Sequence, residues 1–168
     1  DMTGVGGILV NKALADKHGF DLTKIKKPED LEPMLKVIKE KEPGIVPFLS
    51  IKGDHTAYFI QDYYENIVQA DVPVGLKKTS GDPVVFNMQE TPEYIRIAKM
   101  TREWYKKGYV NKDVATLQDG MPIKKAQKAF AWGEQLKPGK DDEMKAQLGY
   151  EVIQVNAYAD VKPFANTG

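Results

Sequence analysis

The chain has 168 residues, with 24 bases balanced by 24 acids, no cysteine and 42% hydrophobic residues. That length supports one domain with a sizeable core. Zero net charge without a basic stripe argues against nucleic acid, and the lack of cysteine excludes disulfides, thiol catalysis and cysteine-type zinc sites. No apolar run approaches the length that spans a bilayer.

Val5-Gly6-Gly7-Ile8-Leu9-Val10 predicts a first strand, with glycines weakening its start. Asn11 is placed to cap a short helix over 12–18, and Gly19 suits the left-handed residue that ends one. His18 reads as a lone surface histidine in the last turn. Leu31, Met34, Leu35 and Ile38 recur at helical spacing. That helix starts near Pro28 or, because of Pro33, near Glu32, and it stops before Pro43-Gly44. Residues 45–50 form a second strand, which Pro47 places at an edge or near its end.

A short polar loop, Ile51-Lys52-Gly53-Asp54-His55, follows that strand. The next helix is expected to carry Phe59, Tyr63 and Ile67 on one face, with Tyr58 nearest the loop. Residues 70–82 read as a surface excursion and 83–86 as a short strand. Thr91-Pro92-Glu93 is a strong helix start, and Tyr94, Ile97, Thr101, Trp104 and Tyr105 follow in a stripe that Gly108 closes. Residues 109–120 form a loop without the alternating oxygen ligands and closing glutamate of a calcium loop.

A short helix over 122–127 leads into Lys128-Ala129-Phe130-Ala131-Trp132-Gly133. This stretch predicts a short strand with Phe130 and Trp132 on one face, ending at Trp132, with loop residues from Gly133 on. A last helix begins at Asp141 or Asp142 and closes at Gly149, and residues 150–155 alternate as the final strand. Strands and helices in alternation predict an α/β layer fold, read as a single domain over 1–168.

No nucleophile elbow, phosphate loop, dinucleotide fingerprint or zinc-binding helix is present, so no cofactor and no metal is expected. What remains is a set of loops after strands carrying Asp54, His55, Tyr58, Trp132 and Glu134. Open α/β sheets hold ligands at such strand ends. Flat aromatic rings with a few polar groups suit a hydroxylated ligand such as a sugar. Two other readings fit the same residues. One is a glycosidase-like enzyme using loop carboxylates such as Asp54 and Glu134. The other is a domain that docks a protein through its aromatic surface.

Several motifs resemble a known family in their order. They are the opening strand and short helix ending in His18-Gly19-Phe20, Lys27-Pro28-Glu29-Asp30-Leu31, Trp104-Tyr105-Lys106-Lys107-Gly108-Tyr109-Val110-Asn111, and Lys128-Ala129-Phe130-Ala131-Trp132. Together they resemble the maltose-binding-protein-like solute-binding proteins of bacterial ABC importers, most of all the lipoprotein branch. The resemblance implies one lobe of a type II periplasmic-binding-protein-like fold, a central mixed sheet flanked by helices. It further implies the inserted second lobe, cut at both hinge crossings, with a missing first lobe and a membrane permease as partners. Trp132, Tyr58, His55, Asp54 and Glu134 would then face a carbohydrate in the cleft, with no catalysis. The location implied is the outer face of the cytoplasmic membrane, lipid-anchored, or the periplasm.

Overall fold

The structure, a computed structural model, describes residues 5–53, 65–66, 74–79 and 82–157. Its main sheet has four strands in the order β2-β6-β1-β7. These are β1 (Val5–Asn11), β2 (Val46–Leu49), β6 (Ala129–Leu136) and β7 (Val152–Val155). β2 runs parallel to β6, whereas β1 is antiparallel to both β6 and β7. The sheet is therefore mixed, as the family resemblance implied. β2 takes the edge of the ladder, consistent with Pro47 lacking an N–H to donate. Beyond it, among the described residues, lies an isolated bridge from Phe48 to Val110.

Both faces of this sheet are covered. On one face Ile8, Val10, Phe48 and Ala131 form a cluster with Leu35 and Ile38 of α2 (Glu32–Lys41) and Ile97 and Trp104 of α3 (Pro92–Lys106). On the other, Leu9, Leu49, Trp132 and Val152 pack with Met144 and Leu148 of α5 (Lys140–Leu148). Met121 and Ile123 of α4 (Met121–Lys125) add to that second layer. Register explains the division: Val10 and Phe48 pair with Ala131, while Leu9 and Leu49 pair with Trp132, and paired residues share a face. Phe130 and Trp132 nevertheless fall into different clusters, contrary to the expectation of a shared face. Phe130 packs on the α2–α3 side, where it meets the edge of Phe20 at 5.6 Å.

The helix ends follow local rules. Asn11 accepts from the Leu14 N–H at 3.2 Å and caps α1 (Lys12–Lys17), and Gly19 (φ +64°) follows it. Asp30 accepts from the backbone N–H groups of Lys26 and Lys27, tying a 3-10 turn (Pro28–Leu31) to the segment before it. α2 itself begins at Glu32, which places Pro33 in its first turn, where a missing N–H costs nothing. Thr91 caps α3 as its sequence predicts. His18 is not a lone surface residue. Its Nε2 lies 2.7 Å from the Glu42 carboxylate, which also takes Lys17, and its ring stacks on Phe20 at 5.5 Å. Glu32 joins α2 to α3: it accepts from the Trp104 indole at 3.1 Å and pairs with Lys107.

Three further readings change. Glu65–Asn66 form a short strand β3 paired with β4, so the helix expected to reach Ile67 does not extend through these positions. Val74–Thr79 form β4, which pairs with β5 (Asp82–Asn87) where a surface excursion was expected. Hairpin pairing supplies hydrogen bonds that local composition, with Gly75 and two lysines, does not predict. Tyr105, expected in the buried stripe of α3, is 47% exposed.

β6 also runs longer than expected. Glu134, Gln135 and Leu136 continue the strand because Gly7, Gly6 and Val5 of β1 pair with them. Trp132 is therefore within a strand and not at its end. Gly7 makes this crossing possible: a Cβ there would lie 2.3 Å from Leu136 Cδ1 and 3.0 Å from the Val155 carbonyl oxygen. Gly7→Ala is thus expected to destabilise the fold by about 1–3 kcal/mol through overpacking, measured by urea denaturation. The Lys107 partner and the Trp104 indole hold the Glu32 carboxyl below the usual range against the opposing effect of burial. A depressed carboxylate contributes stability above its unfolded pKa, and that contribution is lost as pH falls through the folded value. The acid limb of the stability profile should accordingly flatten in Glu32→Gln.

Candidate functional site

β2 and β6 are parallel, so their carboxyl ends emerge at one edge of the sheet. β1 is antiparallel to β6 and begins at that edge, and β7, antiparallel to β1, ends there. The four-stranded part closes at the level of Leu49, Trp132 and Leu9, with Val155 beside Ile8 one residue further on. Beyond that level only β1 and β6 continue as a two-stranded extension, Val5 opposite Leu136. This edge is where an open α/β sheet offers a ligand site.

The loop after β2 is held by contacts distant in sequence. Asn111 accepts from the Ser50 N–H and donates to the Ser50 carbonyl, both at 2.9 Å, and also donates to Asp113 at 2.8 Å. The Lys52 N–H donates to the Leu117 carbonyl at 2.7 Å. Gly120 lies against Leu49 and Ile51, where a Cβ would come within 3.1 Å of Leu49. Segment 50–53 is thereby set on the 109–120 loop. In the sequence Asn111 stands at the end of the motif that starts at Trp104, but nothing there reveals its tie to Ser50, 61 positions away.

Trp132 lies at the rim of the four-stranded part with its side chain 1% exposed. It packs among Leu9, Leu49 and Met144, and the Lys124 ammonium stands 5.2 Å from the centre of its ring. Its Nε1 is buried without a hydrogen-bond partner. In this arrangement the ring offers no open face for stacking. Glu134 sits two residues further along β6, partly exposed, 3.7 Å from Lys140 Nζ. Lys140 also holds Glu143 at 3.3 Å, so Glu134 belongs to a charged group at the start of α5. Asp54, His55 and Tyr58 lie outside the described residues; the described chain stops just before them at Gly53, φ +85°. Among the described residues no group of three or more acids and histidines is placed to hold a metal. No described helix is long and apolar enough to cross a membrane.

Lys124 is itself positioned. Its carbonyl accepts from the Tyr150 hydroxyl at 2.6 Å, linking α4 to the turn before β7. Burial pushes the Tyr150 phenol up to about 12. A raised phenol pKa means that the folded state favours the neutral form. Its stabilising share is present below the ordinary value of about 10 and is lost as pH rises through the folded value. Ultraviolet titration should therefore show a late-ionising phenol that disappears in Tyr150→Phe. That variant should also lose about 1 kcal/mol with the hydrogen bond.

Comparison with known proteins bears on what this edge does. No family model matches the chain. A carbohydrate ABC transporter substrate-binding protein of Streptococcus pneumoniae serotype 4 is 34% identical over 106 residues, which is 63% of this chain and 21% of that protein. The crystal structure of the N-glycan transport solute-binding protein NgtS from Streptococcus pneumoniae, in complex with Man1GlcNAc, superposes with a TM-score of 0.80 at 25% identity. It covers 92% of this chain and 34% of that one. An HMO-binding, ABC-transporter-associated solute-binding protein from Bifidobacterium longum infantis shares the fold, with a TM-score of 0.64 at 17% identity over 90% of this chain and 33% of its own. The chain thus spans about a third of the length of these structures. In sequence and in fold, the chain is similar to one part of the carbohydrate substrate-binding proteins of ABC transporters.

Proposed function

We propose that this chain is one lobe, the inserted second lobe, of a two-lobe solute-binding protein that captures a carbohydrate for an ABC importer. The observation that carries the reading is topological. The first and last strands of the main sheet both reach the edge at which the carboxyl ends of β2 and β6 open. A lobe inserted into a second lobe needs that arrangement, because both hinge crossings must lie beside the cleft. The match to about a third of a glycan-bound solute-binding protein supports it.

The lobe acts as a binder and not as an enzyme: it supplies one wall of the cleft, and hinge closure supplies the rest. Asp54, His55 and Tyr58 belong to the segment that leaves β2 at this edge, and Glu134 to the β6 extension. Trp132 underlies the same rim. Its indole N–H is the buried donor still open to an acceptor, and its ring becomes available to a sugar if Lys124 moves aside. The captured solute passes to a membrane permease, and the protein works outside the cytoplasmic membrane, lipid-anchored or periplasmic.

The test is a thermal-shift screen of the full two-lobe protein against neutral oligosaccharides, mannose- and N-acetylglucosamine-containing ones among them. A ligand at a hundred times its Kd stabilises the folded state by about 2.7 kcal/mol, a readily measured rise in Tm. Trp132→Ala would cost about 3–5 kcal/mol of core packing, which would blur the result. Trp132→Phe, which keeps a ring but loses the N–H, is the informative variant and should reduce the shift. Absence of a shift with every carbohydrate would overturn the reading.

A further inference from the structure

Next to the β2 edge, between α3 and the loop after it, lies a cavity of about 550 Å³. It is lined by Ser50, Lys52, Tyr94, Thr101, Arg102 and Tyr105, with small apolar residues behind them. Nothing in the topology or the comparisons assigns it a role. Its size falls in the range of small-molecule sites. Two tyrosines provide ring surface of the kind that covers the C–H face of a sugar. The Ser50 and Thr101 hydroxyls, the latter donating to the Ile97 carbonyl at 2.9 Å, add polar points at the wall.

Charge is the distinguishing feature. The chain as a whole has as many acids as bases, yet among the described residues this wall carries two cations and no carboxylate. Arg102 makes no ion pair or hydrogen bond with any described residue. Its neighbour Glu103 is already paired with Lys106 at 2.9 Å. The Lys52 side chain has no carboxylate partner there either, and its backbone N–H alone is engaged, with Leu117. Several other cations are matched, Lys17 with Glu42, Lys107 with Glu32, Arg96 with Glu29 and Lys140 with Glu143, and what sets Arg102 and Lys52 apart is that both line one cavity. A planar guanidinium with no salt bridge or hydrogen bond among the described residues, beside ring surface, is suited to bidentate contact with a carboxylate.

We propose that this cavity takes an acidic sugar unit, a uronic or sialic acid residue, of the captured glycan. The sugar ring lies against Tyr94 and Tyr105, and its carboxylate meets Arg102 with Lys52 at the opening. This deepens the carbohydrate reading above and rests on it. It predicts a preference for anionic glycans that the neutral sugars of that reading do not require.

The experiment uses the full two-lobe protein in calorimetric titrations with matched pairs: digalacturonate against digalactose of the same linkage, a glucuronate disaccharide against its glucose analogue, and sialyllactose against lactose. At least one acidic member should bind about tenfold or more tighter than its neutral partner. That preference should shrink when salt is raised from about 50 to about 300 mM. Arg102→Gln, on an exposed position of α3, should abolish the preference and leave binding of the neutral member unchanged. Tyr94→Phe should retain it, because the ring remains. If neutral members bind as tightly as acidic ones, or if Arg102→Gln leaves the preference intact, this assignment is overturned while the carbohydrate reading stands. If no member of any pair binds, the carbohydrate reading fails as well.

Discussion

Strand β6 has to be satisfied on both edges and both faces at once. Its first four residues are fully buried, so their backbone groups need partners and their side chains need cover. β2 and β1 supply the edges, one parallel and one antiparallel. The α2–α3 layer and the α4–α5 layer supply the faces. Because Ala131 and Trp132 point to opposite layers, a one-residue slip of β6 would move an indole into a space filled for a methyl group. The register is fixed by that difference in volume, and with it the level at which the four-stranded part ends.

That level organises the candidate site. β2 stops opposite Trp132, while β1 and β6 run on together, so the edge is stepped. Two long-range ties, Asn111 to Ser50 and Leu117 to Lys52, set the loop after β2 on this step. Neutral hydrogen bonds of this kind contribute about 1 kcal/mol each, little against the whole fold but enough to select one conformation of a short loop. NgtS, which superposes on this chain, has been solved in complex with Man1GlcNAc and Man5GlcNAc.

The electrostatics follow a division of labour. Ion pairs such as Lys107 with Glu32 and Lys17 with Glu42 fasten one helix to the next at partly exposed positions, where each adds only modest stability. The cations of the Arg102 wall instead line a cavity whose described residues include no carboxylate.

Much of the fold is legible in the residues because it is local. The caps at Asn11 and Thr91, the left-handed glycines at 19, 108 and 149, and the apolar stripes of α2 and α3 are each set within a few positions. Local sequence also marks Pro47 as an edge residue and the β6 core as strand. The order of its motifs was enough to point to the solute-binding family. What tertiary structure alone decided depends on partners far along the chain. β6 extends through Glu134 because β1 lies beside it, β4 is a strand because β5 pairs with it, and His18 is bound because Glu42 comes near. Trp132 is a rim residue by sequence position, but α4, α5 and Lys124 close over it, and no local pattern encodes that cover. Helix caps and stripes answer to the chain's own periodicity; ladders, cavities and long-range ties answer to which segments meet.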